Sequence, residues 1–169
     1  SYVAGLDLAK HQDYTVLYVL DDLGHLVAQD RFGEVEYPLQ RKRIVLLVNK
    51  YNARLLMDST GIGDPVFDEL RRQDGDLKLT GHVEGYKLTN ASKAELIENL
   101  SIMIEQKTIS YPKIPELIGE LQMYGWTKSK GGNIIYDAPS GYHDDCVLAL
   151  ALAAWQLQQP KSNPAFLLM

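Results

Sequence analysis

Val3-Ala4-Gly5-Leu6-Asp7-Leu8-Ala9 is apolar at even and odd positions alike, broken by one aspartate. A strand hydrophobic on both faces belongs in the middle of a sheet that is covered above and below. Outward from it, Tyr14 to Leu20 (YTVLYVL) reads as a second strand, Asp21-Asp22-Leu23-Gly24 as a turn, and His25 to Phe32 as a third strand. The chain thus opens as an antiparallel meander.

The pattern then changes period. Pro38 starts a helix through about Lys50, with Ile44, Leu47, Val48 and Tyr51 at helical spacing. Arg54 to Met57 is a short buried strand ending at Asp58, Asp64 to Arg72 is helical, and Leu79 to Tyr86 is a fifth strand. Ser92-x-x-Glu95 has the capping-box pattern and precedes Leu96, Ile97, Leu100, Met103 and Ile104 on one helical face. Ile109-Ser110-Tyr111-Pro112 closes that unit as an extended piece, and Pro115 to Gln122 is another helix. Trp126 to Ala138 reads as a hairpin with a basic tip at Lys128 and Lys130, and the last helix runs from about Tyr142 to Gln158. The expected fold is α/β: a mixed five-stranded sheet, three antiparallel strands then parallel βα units, with helices on both faces and an added β-hairpin. The first strand pairs with the second on one side and, in parallel, with the fourth on the other.

Bulk properties set limits. The chain has 169 residues, 46% of them hydrophobic, enough for one compact domain, which we place at 1–159 with a flexible tail at 160–169. No apolar run is long enough to span a membrane, so a soluble domain is expected; the lone cysteine suggests a cytoplasmic setting, and the domain is expected to be monomeric. The single Cys146 excludes a disulfide framework and a cysteine-cluster zinc site. A net charge of −5 argues against gripping nucleic acid by bulk charge, although carboxylates that bind metal make such a count look acidic. Arg41-Lys42-Arg43, Arg71-Arg72 and the Lys128/Lys130 pair are first read as solvated faces. The chain begins Ser1-Tyr2-Val3 without methionine and enters a strand at once, so we read it as an excised domain.

The chemistry concentrates in three acids. Gly141-Tyr142-His143-Asp144-Asp145 runs straight into Cys146-Val147-Leu148-Ala149-Leu150-Ala151-Leu152-Ala153-Ala154-Trp155, a helix so apolar that it must be buried. Its first acids are therefore held at the edge of a core. Taken singly, Asp144 and Asp145 could complement a helix dipole, and Asp58 could be an ordinary strand-to-turn residue. Asp7 is harder to dismiss, because a carboxylate inside VAGLDLA needs a partner. Three carboxylates delivered by three buried elements form a divalent-metal site, with Asp7 bridging, Asp58 on one ion and Asp144 or Asp145 on the other. On a helix, consecutive residues point about 100° apart, so Asp144 and Asp145 cannot both face one ion, and geometry alone does not choose between them. His143 is a candidate to orient water or ligate metal, and Asp137 an extra ligand. His11, His25 and His82 are read as structural or exposed, Cys146 as an inert buried thiol, and Gly61-Ile62-Gly63 as a turn.

These residues resemble a known family. Gly5-Leu6-Asp7-Leu8-Ala9, Leu55-Leu56-Met57-Asp58-Ser59-Thr60-Gly61, and Tyr142-His143-Asp144-Asp145 followed by Leu148-Ala149-Leu150-Ala151 are similar to the nuclease domain of tailed-phage large terminase subunits, a ribonuclease H-like, RuvC-type fold. Lys93 to Leu100 and Ile109-Ser110-Tyr111-Pro112 extend the similarity over most of the chain. The resemblance implies catalytic and metal-binding roles for Asp7, Asp58 and Asp145, with His143 and Asp144 supporting, since the family's His-x-Asp pattern falls on Asp145. It implies one or two Mg2+ or Mn2+ ions, with two expected, and cleavage of double-stranded viral DNA with little sequence specificity during genome packaging. It matches Trp126 to Ala138 to a hairpin that approaches DNA, with Lys128 and Lys130 as contacts. The implied partners are an ATPase motor domain of the same protein, the portal and the small terminase subunit, at the procapsid in the cytoplasm of an infected host. The rival readings are a junction-resolvase or transposase nuclease, an actin-like or sugar-kinase ATPase half, and a non-catalytic docking module for DNA or portal.

Overall fold

The computed structural model describes residues 1–9, 13–61, 63–72, 75, 77–128, 130–132 and 134–161. His11, Ile62, Ser129, Asn133 and the tail from Ser162 lie outside the described residues, as does the side chain of Lys128. The element order is β1 (Tyr2–Asp7), β2 (Thr15–Asp21), β3 (Leu26–Phe32), α1 (Tyr37–Tyr51), β4 (Arg54–Asp58), α2 (Gly63–Arg71), β5 (Val83–Tyr86), α3 (Asn90–Glu105), α4 (Pro115–Met123), β6 (Gly125–Lys128), β7 (Ile134–Asp137) and α5 (Asp145–Gln158).

The five-stranded sheet has the order β3-β2-β1-β4-β5, and β6-β7 form a separate hairpin. As the apolar pattern dictates, β1 is central, antiparallel to β2 and parallel to β4. Every residue of β1 after Tyr2 is buried, whereas the edge strands are partly open, β3 exposing Val27 and Gln29 and β5 exposing Glu84 and Gly85. The β2–β3 turn needs its glycine: Gly24 sits at φ +85°, with its N–H on the Asp21 carbonyl. No helix among the described residues is long and apolar enough to cross a membrane.

Two cores flank the sheet. On one face, Leu6, Leu17, Val19, Leu55 and Met57 pack with Ile44, Val45 and Val48 of α1 and Leu70 of α2. On the other, Val3, Val16, Tyr18 and Leu56 pack with α3, with Leu117 of α4, and with nearly all of α5. α5 is buried around almost its whole circumference because α3 and α4 wrap it from outside.

Two helix starts differ from the sequence expectation. α3 begins at Asn90: Thr89 is the N-cap, its hydroxyl accepts the Ser92 N–H at 3.1 Å, and the Ser92 hydroxyl accepts the Thr89 N–H at 2.8 Å. Ser92 thus closes the capping box from its third helical position rather than opening it, and Glu95 has no part in it. α5 begins at Asp145, not Tyr142; Asp144 has φ −130° and lies outside the helix.

Among the described glycines, the closest approach of neighbouring backbone is at Gly5. A Cβ there would fall 2.1 Å from the Ala149 carbonyl oxygen and 2.4 Å from the Ala153 nitrogen, both backbone atoms of α5. Gly5→Ala is expected to destabilise the fold by about 3 kcal/mol, the upper end for overpacking. Gly119→Ala, within α4 with nothing within 4 Å of the new methyl, is expected to stabilise it by about 1 kcal/mol. Urea unfolding of the two variants beside wild type checks both signs.

Candidate metal centre

β1 and β4 pair from Val3↔Arg54 to Leu6↔Met57, so the residues that follow, Asp7 and Asp58, sit side by side at the carboxyl edge of the sheet. Strand alternation puts Val3, Gly5 and Asp7 on one face, and Leu56 and Asp58 on that same face. It is the face α5 covers. From the contact of Gly5 with Ala149, Asp7 lies two residues along the strand, about 7 Å. Asp145 lies four residues back along the helix, about 6 Å. The rises match, so a helix seated on Gly5 delivers its first residue to the last residue of the strand.

Asp7, Asp144 and Asp145 line one cleft of about 290 Å³ with Asp13, Asp137, Thr89, Asn90 and Lys93. Because α5 starts at Asp145, the 100° separation of helical neighbours does not apply, and both acids reach the cleft. Asp145 is the more buried of the two, 5% exposed, with Oδ2 accepting the Tyr14 N–H at 3.2 Å. Burial pushes its pKa up to about 6; the Tyr14 N–H opposes the rise, and the charges of Asp13, Glu120 and Asp144 add to it. A buried acid crowded by other acids is a group that a cation would stabilise.

Asp13 is the residue the sequence reading missed. Its carboxylate, the His143 ring and the Asp145 carboxylate each offer a ligand atom, all within 4.8 Å of one another. His143 Nδ1 is 3.1 Å from Asp13 Oδ1 and 3.7 Å from Asp145 Oδ2. The imidazole stands edge-on to Tyr14, whose ring carries the Arg31 guanidinium 3.7 Å above its centroid. In the β1–β2 register Asp7 faces Val16, so Asp13 and Tyr14, the described residues just before β2, lie near the carboxyl edge of β1. Any acid there is a candidate.

Asp58 is 2% exposed and accepts the Thr60 N–H on Oδ1 at 2.8 Å, the strand-to-turn geometry expected of it in isolation. It is not among the residues that line the cleft, and its place beside Asp7 follows from register. Asp137, at the base of the hairpin, lines the cleft, and Lys130 is exposed at the hairpin tip. His25 pairs with Asp21 and His82 with Glu84, both at the surface. Cys146 is fully buried, its thiol pushed up to about 12 by burial and by Glu120, and is inert.

The amides at the start of α5 are not capped by Asp144. Glu120 of α4 does that work: its carboxylate accepts the Cys146 N–H at 2.9 Å, and burial raises its pKa while these bonds pull it back. No local pattern marks Glu120, because the contact spans two helices.

The donor set fits a hard divalent cation. Carboxylate oxygens supply charge and one imidazole sits at the rim, the preference of Mg2+ and Mn2+ rather than of soft metals. A family model described as the terminase RNaseH-like domain matches residues 4–156. The chain belongs to that family. It is 30% identical over 159 residues to the terminase large subunit of Thermus virus P23-45, an alignment that covers 93% of this chain and 32% of that protein. The chain therefore spans about a third of the length of that relative. Among solved structures, the large terminase nuclease from thermophilic phage G20c with bound magnesium is 30% identical, with a TM-score of 0.80 over 92% of this chain and 80% of that one. The Thermus phage P74-26 large terminase nuclease domain is 26% identical, with a TM-score of 0.78 over 95% and 81%. These relatives are terminase nuclease domains, and this chain carries their fold.

Glu120→Ala strips the buried Cys146 amide of its acceptor. It is expected to cost about 2 kcal/mol in thermal unfolding and to speed hydrogen exchange at Cys146 and Val147 while leaving α3 unchanged.

Proposed function

We propose that this chain is a divalent-metal-dependent DNA endonuclease, the cutting domain of a phage large terminase subunit. The observation that carries the reading is the meeting of Asp7 and Asp145 in one acidic cleft, on a fold whose G20c relative is a nuclease with bound magnesium. In that reading Asp7, Asp58 and Asp145 hold Mg2+ or Mn2+, two ions for preference, with Asp144 beside them and Asp13 and His143 at the rim. When bound, the ions supply positive charge to the attacking and departing oxygens of a phosphodiester.

The protein's own residues do the rest. Asp7 and Asp58, at the ends of paired strands, are fixed by the sheet itself. Asp145 is fixed by the helix that packs on Gly5 and by the Tyr14 N–H. His143, bonded to Asp13 and edge-on to the Tyr14 ring, lies beside Asp145 rather than among the cleft-lining residues and is a hydrogen-bonding group able to orient water there. Lys130 places positive charge at the hairpin tip, where a DNA backbone would pass, and Lys128 belongs to the same hairpin. Contacts to the backbone carry no sequence information, so cutting with little sequence specificity is expected.

In the longer protein this domain works beside an ATPase motor that supplies the grip on double-stranded DNA, with the portal and small terminase subunit as further partners. Its place is the packaging motor at the procapsid, in the cytoplasm of the infected host. The acidic net charge suits a domain presented to DNA by a partner.

The test is nicking of supercoiled plasmid with Mn2+, Mg2+ or EDTA. Cleavage is expected with either metal and not with EDTA, and is expected to fall on the order of 100-fold or more in Asp7→Ala and Asp145→Ala, with Asp13→Ala and His143→Ala losing about 10- to 100-fold. Cleavage that survives Asp7→Ala with folding intact sinks the assigned site, and silence under every metal leaves a docking module as the better reading.

A further inference from the structure

Lys93 projects from the first turn of α3 into the acidic cleft. Its ammonium lies 3.1 Å from Asp144 Oδ2 and 3.7 Å from Asp137 Oδ1. Among the described residues lining the cleft, it is the single cation facing five carboxylates: Asp7, Asp13, Asp137, Asp144 and Asp145. Its side chain and that of Asp144 are each only 20% exposed, so the pair is partly withdrawn from solvent. The Asp144 main-chain carbonyl accepts the Leu148 N–H at 2.9 Å and so opens α5, but its side chain makes no cap hydrogen bond. Its carboxylate is given to Lys93.

We infer that Lys93 is a built-in competitor for the divalent cation. This rests on the nuclease reading. A divalent ion that engages Asp144 takes the carboxylate from the ammonium, and until then Lys93 relieves the repulsion that would otherwise spread the acids apart. The same side chain also ties the hairpin, through Asp137, to the start of α5. Lys93 is thus a positioning residue that keeps the metal-free cleft closed and sets how much metal is needed to load it.

The test is calorimetric titration of the 169-residue chain with MnCl2 alone, without DNA. Lys93→Met removes the charge and keeps the aliphatic stem, and its Kd for Mn2+ is expected to fall about 5-fold, the worth of one partly exposed ion pair. Lys93→Arg keeps a cation and is expected to stay near wild type. Melting temperatures give a second readout: Lys93→Met is expected to melt below wild type in EDTA and to recover in saturating Mn2+. Lys93→Gln repeats the titration if the methionine variant does not fold. Equal or weaker Mn2+ binding in the uncharged variants overturns the competition and leaves the metal site standing. Wild type without saturable Mn2+ binding overturns the metal site and this inference together.

Discussion

Everything at the candidate site depends on one backbone-to-backbone contact. α5 lies on β1 with no side chain between them at Gly5, where even a methyl group would collide with the Ala149 carbonyl and the Ala153 amide. The contact fixes the height of the helix on the strand to within a fraction of a turn. Since Asp7 and Asp145 are both counted from that point, the spacing of the acids is a property of the main chain, not of flexible side chains. A site that holds cations, as proposed for this one, gains from a ruler of this kind.

Crowding carboxylates at that point is electrostatically unfavourable, and the fold meets the cost in several ways. The Tyr14 and Thr60 amides donate to Asp145 and Asp58. Lys93 answers Asp144 and Asp137. What remains uncompensated is visible in Asp145, whose carboxyl is held well above the usual aspartate range by burial and by its acidic neighbours. Five of the chain's acids line this one cleft, and cations held by them, as proposed, would reconcile an acidic protein with action on a polyanion.

The sheet was legible because its signals are strong and short in range. VAGLDLA could only be a central strand, and the change from period two to helical spacing after Phe32 dictated the switch from meander to βα units. Asp7 and the Asp144-Asp145 pair stood out for the same reason, as acids attached to segments that had to be buried, while the preference for Asp145 within the pair came from the family resemblance. The misses are physical in kind. Ser92 can serve as an N-cap or as the third residue of a capping box, and Thr89 decided between them. In sequence Tyr142 to Asp144 read as part of the last helix, but they follow a turn closed by the Tyr142 N–H on the Pro139 carbonyl, and α5 begins only where the Glu120 carboxylate takes the Cys146 amide. Glu120 and Asp13 act across gaps of 26 and 130 residues, to Cys146 and His143, and no window along the sequence contains either pair.

Those long gaps also set an order of events during synthesis. The Tyr14 amide and the Asp145 carboxylate that it holds are 131 residues apart, about 10 s of translation at ordinary speeds. Once β4 has been made, β1, β2 and β4 can pair, but until α5 follows the groove over Gly5 has no occupant and the acids of β1 and β4 have no third member. A nascent chain therefore holds an incomplete cluster until its last helix leaves the ribosome. Completion of the core and completion of the charge cluster are one event, so a chain cut short before α5 loses its fold and its chemistry together.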